Sequence, residues 1–170
     1  TFSNAATGGT GEGQITYKII SGDDCASIDD ETSPVITLKK AGTITVQATK
    51  AADDRYEEET ATYTLTINKA QQAALAFETT NPEIAYAPDW TYTVSVTGGS
   101  GTGAVSYYIS DNGNNVTEND IASIDIATGV ISKKGYKTGV VKIVAVKASD
   151  DLYEEATVSC DLTIKKAEQT

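Results

Sequence analysis

The chain contains no histidine. That absence removes Ser-His-Asp and Cys-His catalysis together, because both need an imidazole to accept the nucleophile's proton near neutral pH. It also removes the commonest transition-metal ligand. Only two cysteines, Cys25 and Cys160, are present, and without histidine they are too few for a structural zinc site. They sit at non-equivalent places in the two halves described below, so they read as free thiols in small apolar sites. No apolar run is long enough for a membrane helix or a signal peptide. Methionine is also absent, and the chain reads as an internal segment or a processed product. Positive charge is in short supply: the net charge is −11 and the pI about 4.3. The deficit divides almost evenly along the chain, which argues against nucleic acid and against anionic membranes as partners. Leucine is scarce while Thr, Ser, Val, Ile and Tyr abound, a balance that favours strands over helices.

What is present is a duplication. Lys50-Ala51-Ala52-Asp53-Asp54-Arg55-Tyr56-Glu57-Glu58 returns, 97 residues on, as Lys147-Ala148-Ser149-Asp150-Asp151-Leu152-Tyr153-Glu154-Glu155. Leu65-Thr66-Ile67-Asn68-Lys69-Ala70 returns at the same offset as Leu162-Thr163-Ile164-Lys165-Lys166-Ala167. Upstream, Thr7-Gly8-Gly9-Thr10-Gly11-Glu12-Gly13 returns only 90 residues on, as Thr97-Gly98-Gly99-Ser100-Gly101-Thr102-Gly103. The difference places an insertion near Asp111 to Asp120. A period of this size is that of a whole small domain, so the chain reads as a tandem array. The expected units are residues 1–69, lacking an N-terminal strand, and residues 70–167. Residues 168–170 read as the start of a further repeat, because Ala167-Glu168-Gln169-Thr170 follows the pattern of Ala70-Gln71-Gln72-Ala73. The connection Asn68–Gln72 has neither Pro nor Gly, so one domain's last strand is expected to run nearly straight into the next domain's first.

Apolar and polar residues alternate with period two, the mark of strands with one buried face. Trp90, Tyr92, Val94 and Val96 share one face; Val105, Tyr107 and Ile109, then Val141, Ile143 and Ala145, then Cys160, Leu162 and Ile164 do the same. The first half repeats this with Ile15, Tyr17, Ile19, with Ile44, Val46, Ala48, and with Tyr63, Leu65, Ile67. Short strands between Gly, Asn and Asp turns predict an all-β chain of two tandem immunoglobulin-like antiparallel β-sandwiches.

Ala122-Ser123-Ile124-Asp125, then Gly129-Val130-Ile131-Ser132, then Gly139 before Val141, Ile143 and Ala145, resembles the bacterial immunoglobulin-like domains of invasin- and intimin-type adhesins. The first half carries Ala26-Ser27-Ile28-Asp29 and Ala41-Gly42-Thr43-Ile44-Thr45-Val46, but has Ser33-Pro34 in the region of Gly129. The resemblance implies an extracellular stalk or adhesin segment of a bacterial surface protein. Neighbouring repeats would be its partners. The alternative is a module that binds a carbohydrate or a host protein, or that accompanies a secreted enzyme.

Chemistry must be sought in two motifs. The Gly-x-Gly-x-Gly runs at Gly9–Gly13 and Gly99–Gly103 open no helix, so they lack the amide cradle and dipole of a phosphate site and read as flexible hairpin turns. The acidic blocks gather Asp53, Asp54, Glu57 and Glu58, and again Asp150, Asp151, Glu154 and Glu155. Such oxygen density is the chemistry of Ca²⁺, but the spacing fits no EF-hand, and a solvated loop is the simpler reading. Paired carboxylates could hydrolyse glycosides, yet no aromatic-lined cleft accompanies them. Trp90, Tyr107 and Tyr108 are the aromatic candidates for sugar stacking, with core packing as the alternative. The chain is therefore expected to be no enzyme and to need no cofactor.

Overall fold

The computed structural model describes residues 1–168, so the Gln169–Thr170 part of the expected further repeat lies outside the described residues. The chain divides into two compact units, Thr1–Lys69 and the residues from Ala70 onward. Both are built from strands, and the described residues include no helix.

The second unit contains β7 (Leu75–Phe77), β8 (Glu83–Ala85), β9 (Thr91–Thr93), β10 (Val96–Gly98), β11 (Val105–Asp111), β12 (Asn114–Val116), β13 (Ala122–Ile124), β14 (Val130–Lys133), β15 (Gly139–Lys147) and β16 (Ala156–Lys165). Its larger sheet runs β12-β11-β15-β16-β8, and β13-β14-β9 and β10-β7 face it. β9 and β10 are two stretches of one run broken at Val94 and Ser95, so β7 extends the face that β13-β14-β9 begins. The opening segment thus crosses between layers: β7 pairs antiparallel with β10, and β8 then pairs parallel with β16. This is the two-layer immunoglobulin arrangement.

The core follows the alternation. Ile109, Ile131, Val141, Ile143, Ala145 and Leu162 are fully buried, and Ile164 nearly so. Trp90 and Tyr107 are buried as well, which leaves neither free to stack on a sugar. Tyr92 is half-buried against the same cluster. Both cysteines are buried free thiols, and burial pushes the Cys160 thiol up to about 11.

The first unit contains β1 (Phe2–Ser3), β2 (Ile15–Ser21), β3 (Ala26–Ser27), β4 (Val35–Leu38), β5 (Gly42–Lys50) and β6 (Glu59–Ile67), in sheets β1-β4-β3 and β2-β5-β6. Strand for strand these match β9, β11, β13, β14, β15 and β16. Tyr17 pairs with Ala48 and Ala48 with Ala61, as Tyr107 pairs with Ala145 and Ala145 with Val158. No strand of the unit corresponds to β7, β8, β10 or β12. The missing β12 accounts for most of the change of offset: Asn112 and Gly113, both at positive φ, turn β11 back into β12, a two-residue Asn-Gly hairpin. Leu65 and Ile67 are half-buried, whereas Leu162 and Ile164, which β7 and β8 help to cover, are sealed.

Each Ala-Ser-Ile-Asp motif has a local cause. Ala122 and Ile124 point into the core, and Asp125 Oδ1 accepts from the N–H groups of Ala127 and Thr128, closing the β13–β14 turn. In the first unit Asp30 takes this task, accepting from the Thr32 N–H before Ser33-Pro34.

Candidate functional site

The two repeated motifs meet in space. β15 ends at Lys147, and Ala148 N–H still continues the ladder to the Ala104 carbonyl. The chain then closes a tight loop. Asp150 N–H donates to the Tyr153 carbonyl at 3.0 Å, while Asp150 Oδ1 accepts from Leu152 N–H at 2.9 Å and Tyr153 N–H at 2.8 Å. Such side-chain turns are what Asp does best outside helices and ladders. The other oxygen, Oδ2, reaches across to the glycine run, accepting from Thr102 N–H at 2.5 Å and Thr102 Oγ1 at 3.2 Å. Lys147 reaches the same run from its other side and donates from Nζ to the Gly103 carbonyl at 3.0 Å.

The first unit repeats the arrangement. Asp53 Oδ1 accepts from Arg55 and Tyr56 N–H, and Oδ2 from Glu12 N–H at 2.6 Å. Lys50 Nζ donates to the Gly13 carbonyl at 3.1 Å. Lys-x-x-Asp and Gly-x-Gly-x-Gly are therefore two halves of one clasp, which fastens the connection entering β2 or β11 to the loop leaving β5 or β15.

The glycines are there for close approach. A β-carbon on Gly103 would overlap the Ala148 carbonyl oxygen, and one on Gly13 the Ala51 carbonyl oxygen. A β-carbon on Gly101 would overlap the Asp150 carboxylate, and one on Gly11 would stand 2.6 Å from the Asp53 carboxylate. The expectation of flexible hairpin turns is corrected here. Each run joins strands of opposite sheets, and it is glycine-rich because a lysine stem and a carboxylate lie directly on it.

Charge-assisted bonds from amides hold each clasp carboxylate in its ionised form. The Leu152 and Thr102 amides, helped by Tyr153, draw Asp150 down to about 2. Arg55 and Glu12 amides lower Asp53 in the same way. The sign for stability follows. A carboxylate whose folded pKa is depressed stabilises the fold fully above its unfolded pKa of about 3.9, and that contribution drains away as pH falls toward the folded value. The melting temperature of the second unit is expected to fall between pH 4 and pH 2 more steeply in the parent chain than in Asp150→Asn, as followed by circular dichroism.

The remaining acidic residues are not drawn together. Asp54, Glu57, Glu58, Asp151, Glu154 and Glu155 are exposed, and among the described residues no group of three or more acidic or thiol side chains converges on a point where a metal could sit. Asp53 and Asp150 already face backbone amides, which a cation would have to displace. Calorimetry with chelator and then millimolar Ca²⁺ is expected to leave both melting transitions in place. A rise that Asp150→Asn together with Asp151→Asn abolished would identify the blocks as Ca²⁺ sites.

The segment entering the second unit is bound to its clasp. Ala70 N–H donates to the Leu152 carbonyl and Ala70 accepts from Glu154 N–H. Gln72 Oε1 accepts from the N–H groups of Ser100 and Gly101, both at 3.1 Å, and its Nε2 donates to the Ala148 carbonyl. Sequence reasoning missed this role for Gln72. Nothing in a single glutamine reveals it, but its recurrence as Gln169 was a usable sign.

No family model matches the chain, and no curated protein matches it in sequence. Solved structures with similar folds include cadherin extracellular repeats. The EC22–24 segment of mouse cadherin-23 is 14% identical, with 91% of this chain and 53% of that chain covered and a TM-score of 0.40. Domains 3–6 of protocadherin gamma B2 give 14% identity, 94% and 42% coverage and a TM-score of 0.46. Human protocadherin-24 EC1–2 gives 12%, 94% and 84%, with a TM-score of 0.44. The chain spans about half or less of the length of the first two.

Proposed function

We propose that the chain is a non-enzymatic spacer segment of an extracellular surface protein, of the kind built from tandem immunoglobulin-like repeats in bacterial adhesins. The observation that carries this reading is the clasp. The repeated lysine, first aspartate and glycine run fasten each sandwich to itself, and among the described residues the acidic side chains repeated beside them converge on no common point. Faithful repetition of structural residues is what a module selected for folding, length and durability requires. The absence of histidine and the even acidic surface, suited to crowded display, agree with it.

One feature favours a second reading, a glycan-binding module. Tyr136 is 89% exposed, and Lys133 Nζ lies 5.0 Å from its ring and 5.7 Å from that of Tyr86. A glycan array probed with the labelled chain separates the two. Background signal throughout is the expected result. Saturable binding to a defined glycan, lost in Tyr136→Ala, would overturn the spacer reading.

A further inference from the structure

The second unit carries an internal strand, β12, that the first unit lacks, and the place it fills is open in the first unit. After the Asn112-Gly113 turn, β12 sets Val116 opposite Ile109 on the edge of β11. The chain then crosses to the other sheet. The Thr117 carbonyl accepts from Ile124 N–H at 2.8 Å, Asn119 N–H donates to the Ala122 carbonyl at 2.9 Å, and Glu118 pairs with Ser123 in an isolated bridge. Val116 packs against the core, and Glu118 Oε1 meets Lys134 Nζ at 2.5 Å. Under this cover Ile109 is fully buried and Ile124 nearly so. In the first unit β2 stands where β11 does and ends its sheet, with β5 as its one strand partner among the described residues. Ile19 and Ile28, at the Ile109 and Ile124 positions, are only half-buried. Among the described residues no backbone carbonyl takes the Ile28 N–H. An open groove of about 280 Å³ remains, lined by Tyr17, Ile19, Ala26 and Ile28 and by the charged Glu31 and Lys39. Lys39 stands where Lys134 does, its N–H bonding the Cys25 carbonyl as Lys134 N–H bonds that of Ile121. Among the described residues no carboxylate forms an ion pair with Lys39. β12 and β8 lie at opposite ends of the larger sheet, so this groove is set by residues inside the repeat and not by its opening segment.

We infer that the groove is a strand-acceptor site for an extended segment of a partner protein, in which a β-branched apolar residue is followed two positions later by a carboxylate, as in Val116-Thr117-Glu118. The apolar side chain would cover Ile19 and Ile28. The segment's backbone would pair with the β2 edge and with Ile28 N–H, and its carboxylate would meet Lys39. Strand addition draws affinity from main-chain hydrogen bonds and specificity from the side chains seated beside them. A second copy of the chain fits less well. The β2 edge is bulged between Ile19 and Ser21, and a bulge bends an edge away from long edge-to-edge pairing. The inference goes beyond the spacer reading and does not rest on it.

The test uses the isotope-labelled 170-residue chain and a synthetic peptide with the sequence of residues 113–120. Saturable shifts of the Ile19, Ser27, Ile28 and Lys39 amides are expected at millimolar peptide, with second-unit amides unmoved because β12 already fills that place. A Val116→Asp peptide should bind at least about tenfold more weakly, because it carries a carboxylate against apolar side chains. A Glu118→Lys peptide should bind the parent chain about threefold more weakly. It should regain that affinity on Lys39→Glu, a variant that should fold normally because Lys39 is exposed. Absence of saturable shifts, equal binding of the Val116→Asp peptide, or no recovery on Lys39→Glu would overturn the inference. Sedimentation as a dimer that the peptide cannot dissociate would also overturn it, by assigning the groove to a second copy of the chain.

Discussion

Leu162→Asp is expected to abolish the folding transition of the second unit while leaving that of the first. Leu162 is fully buried, in register with Val141 at the centre of the larger sheet. Truncating such a leucine costs about 2–5 kcal/mol before any charge is considered. A carboxylate there has no partner, so it must be protonated or drag water into the core, which adds several kcal/mol more. Together these approach the roughly 5–15 kcal/mol by which a domain is folded at all. The equivalent change in the first unit, Leu65→Asp, should be milder, because Leu65 is only half-buried and its side chain can turn toward solvent. Two-transition melting curves of the variants check both statements. Equal losses would mean that the first unit's core is as well sealed as the second's.

Gly103→Ala is the second large effect. The added methyl group would occupy the position of the Ala148 carbonyl oxygen. Backbone cannot rotate away as a side chain can, so the connection and the loop must separate. The Asp150 and Lys147 bonds to Thr102 and Gly103 would be lost with them. Overpacking of this kind costs about 1–3 kcal/mol. Gly135→Ala is the control: its nearest foreign atom would be the Asp120 carbonyl oxygen at an ordinary 3.5 Å, and stability should stay within about 0.5 kcal/mol of the parent. A harmless Gly103→Ala would show that the glycine run is not clamped.

The strands were legible because burial on one face writes itself into the chain with period two. Val141, Ile143 and Ala145, and Cys160, Leu162 and Ile164, are buried as their alternation requires. The clasp was not read as one object. Asp150 and Thr102 lie 48 positions apart, and a carboxylate that binds amides looks, in sequence, like one that faces water. The sign was present nevertheless: the glycine run and the acidic block recur together, and most of the difference in their offsets is the β12 insertion. The crossing of the opening segment between sheets was hidden for another reason. β8 is a three-residue strand, too short to display a period.

One carboxylate in each acidic block, Asp53 or Asp150, fastens the fold, and the others are exposed. Thermal unfolding of two variants tests this most directly. One is Asp150→Asn; the other replaces Asp151 by Asn and both Glu154 and Glu155 by Gln. The first removes the acceptor facing Thr102 and should lower the melting temperature of the second unit. The second removes more charge and should leave that temperature unchanged or slightly raised, since it relieves repulsion on an acidic chain. A destabilised triple variant beside an unaffected Asp150→Asn would contradict the account and return the acidic blocks to the status of a binding site.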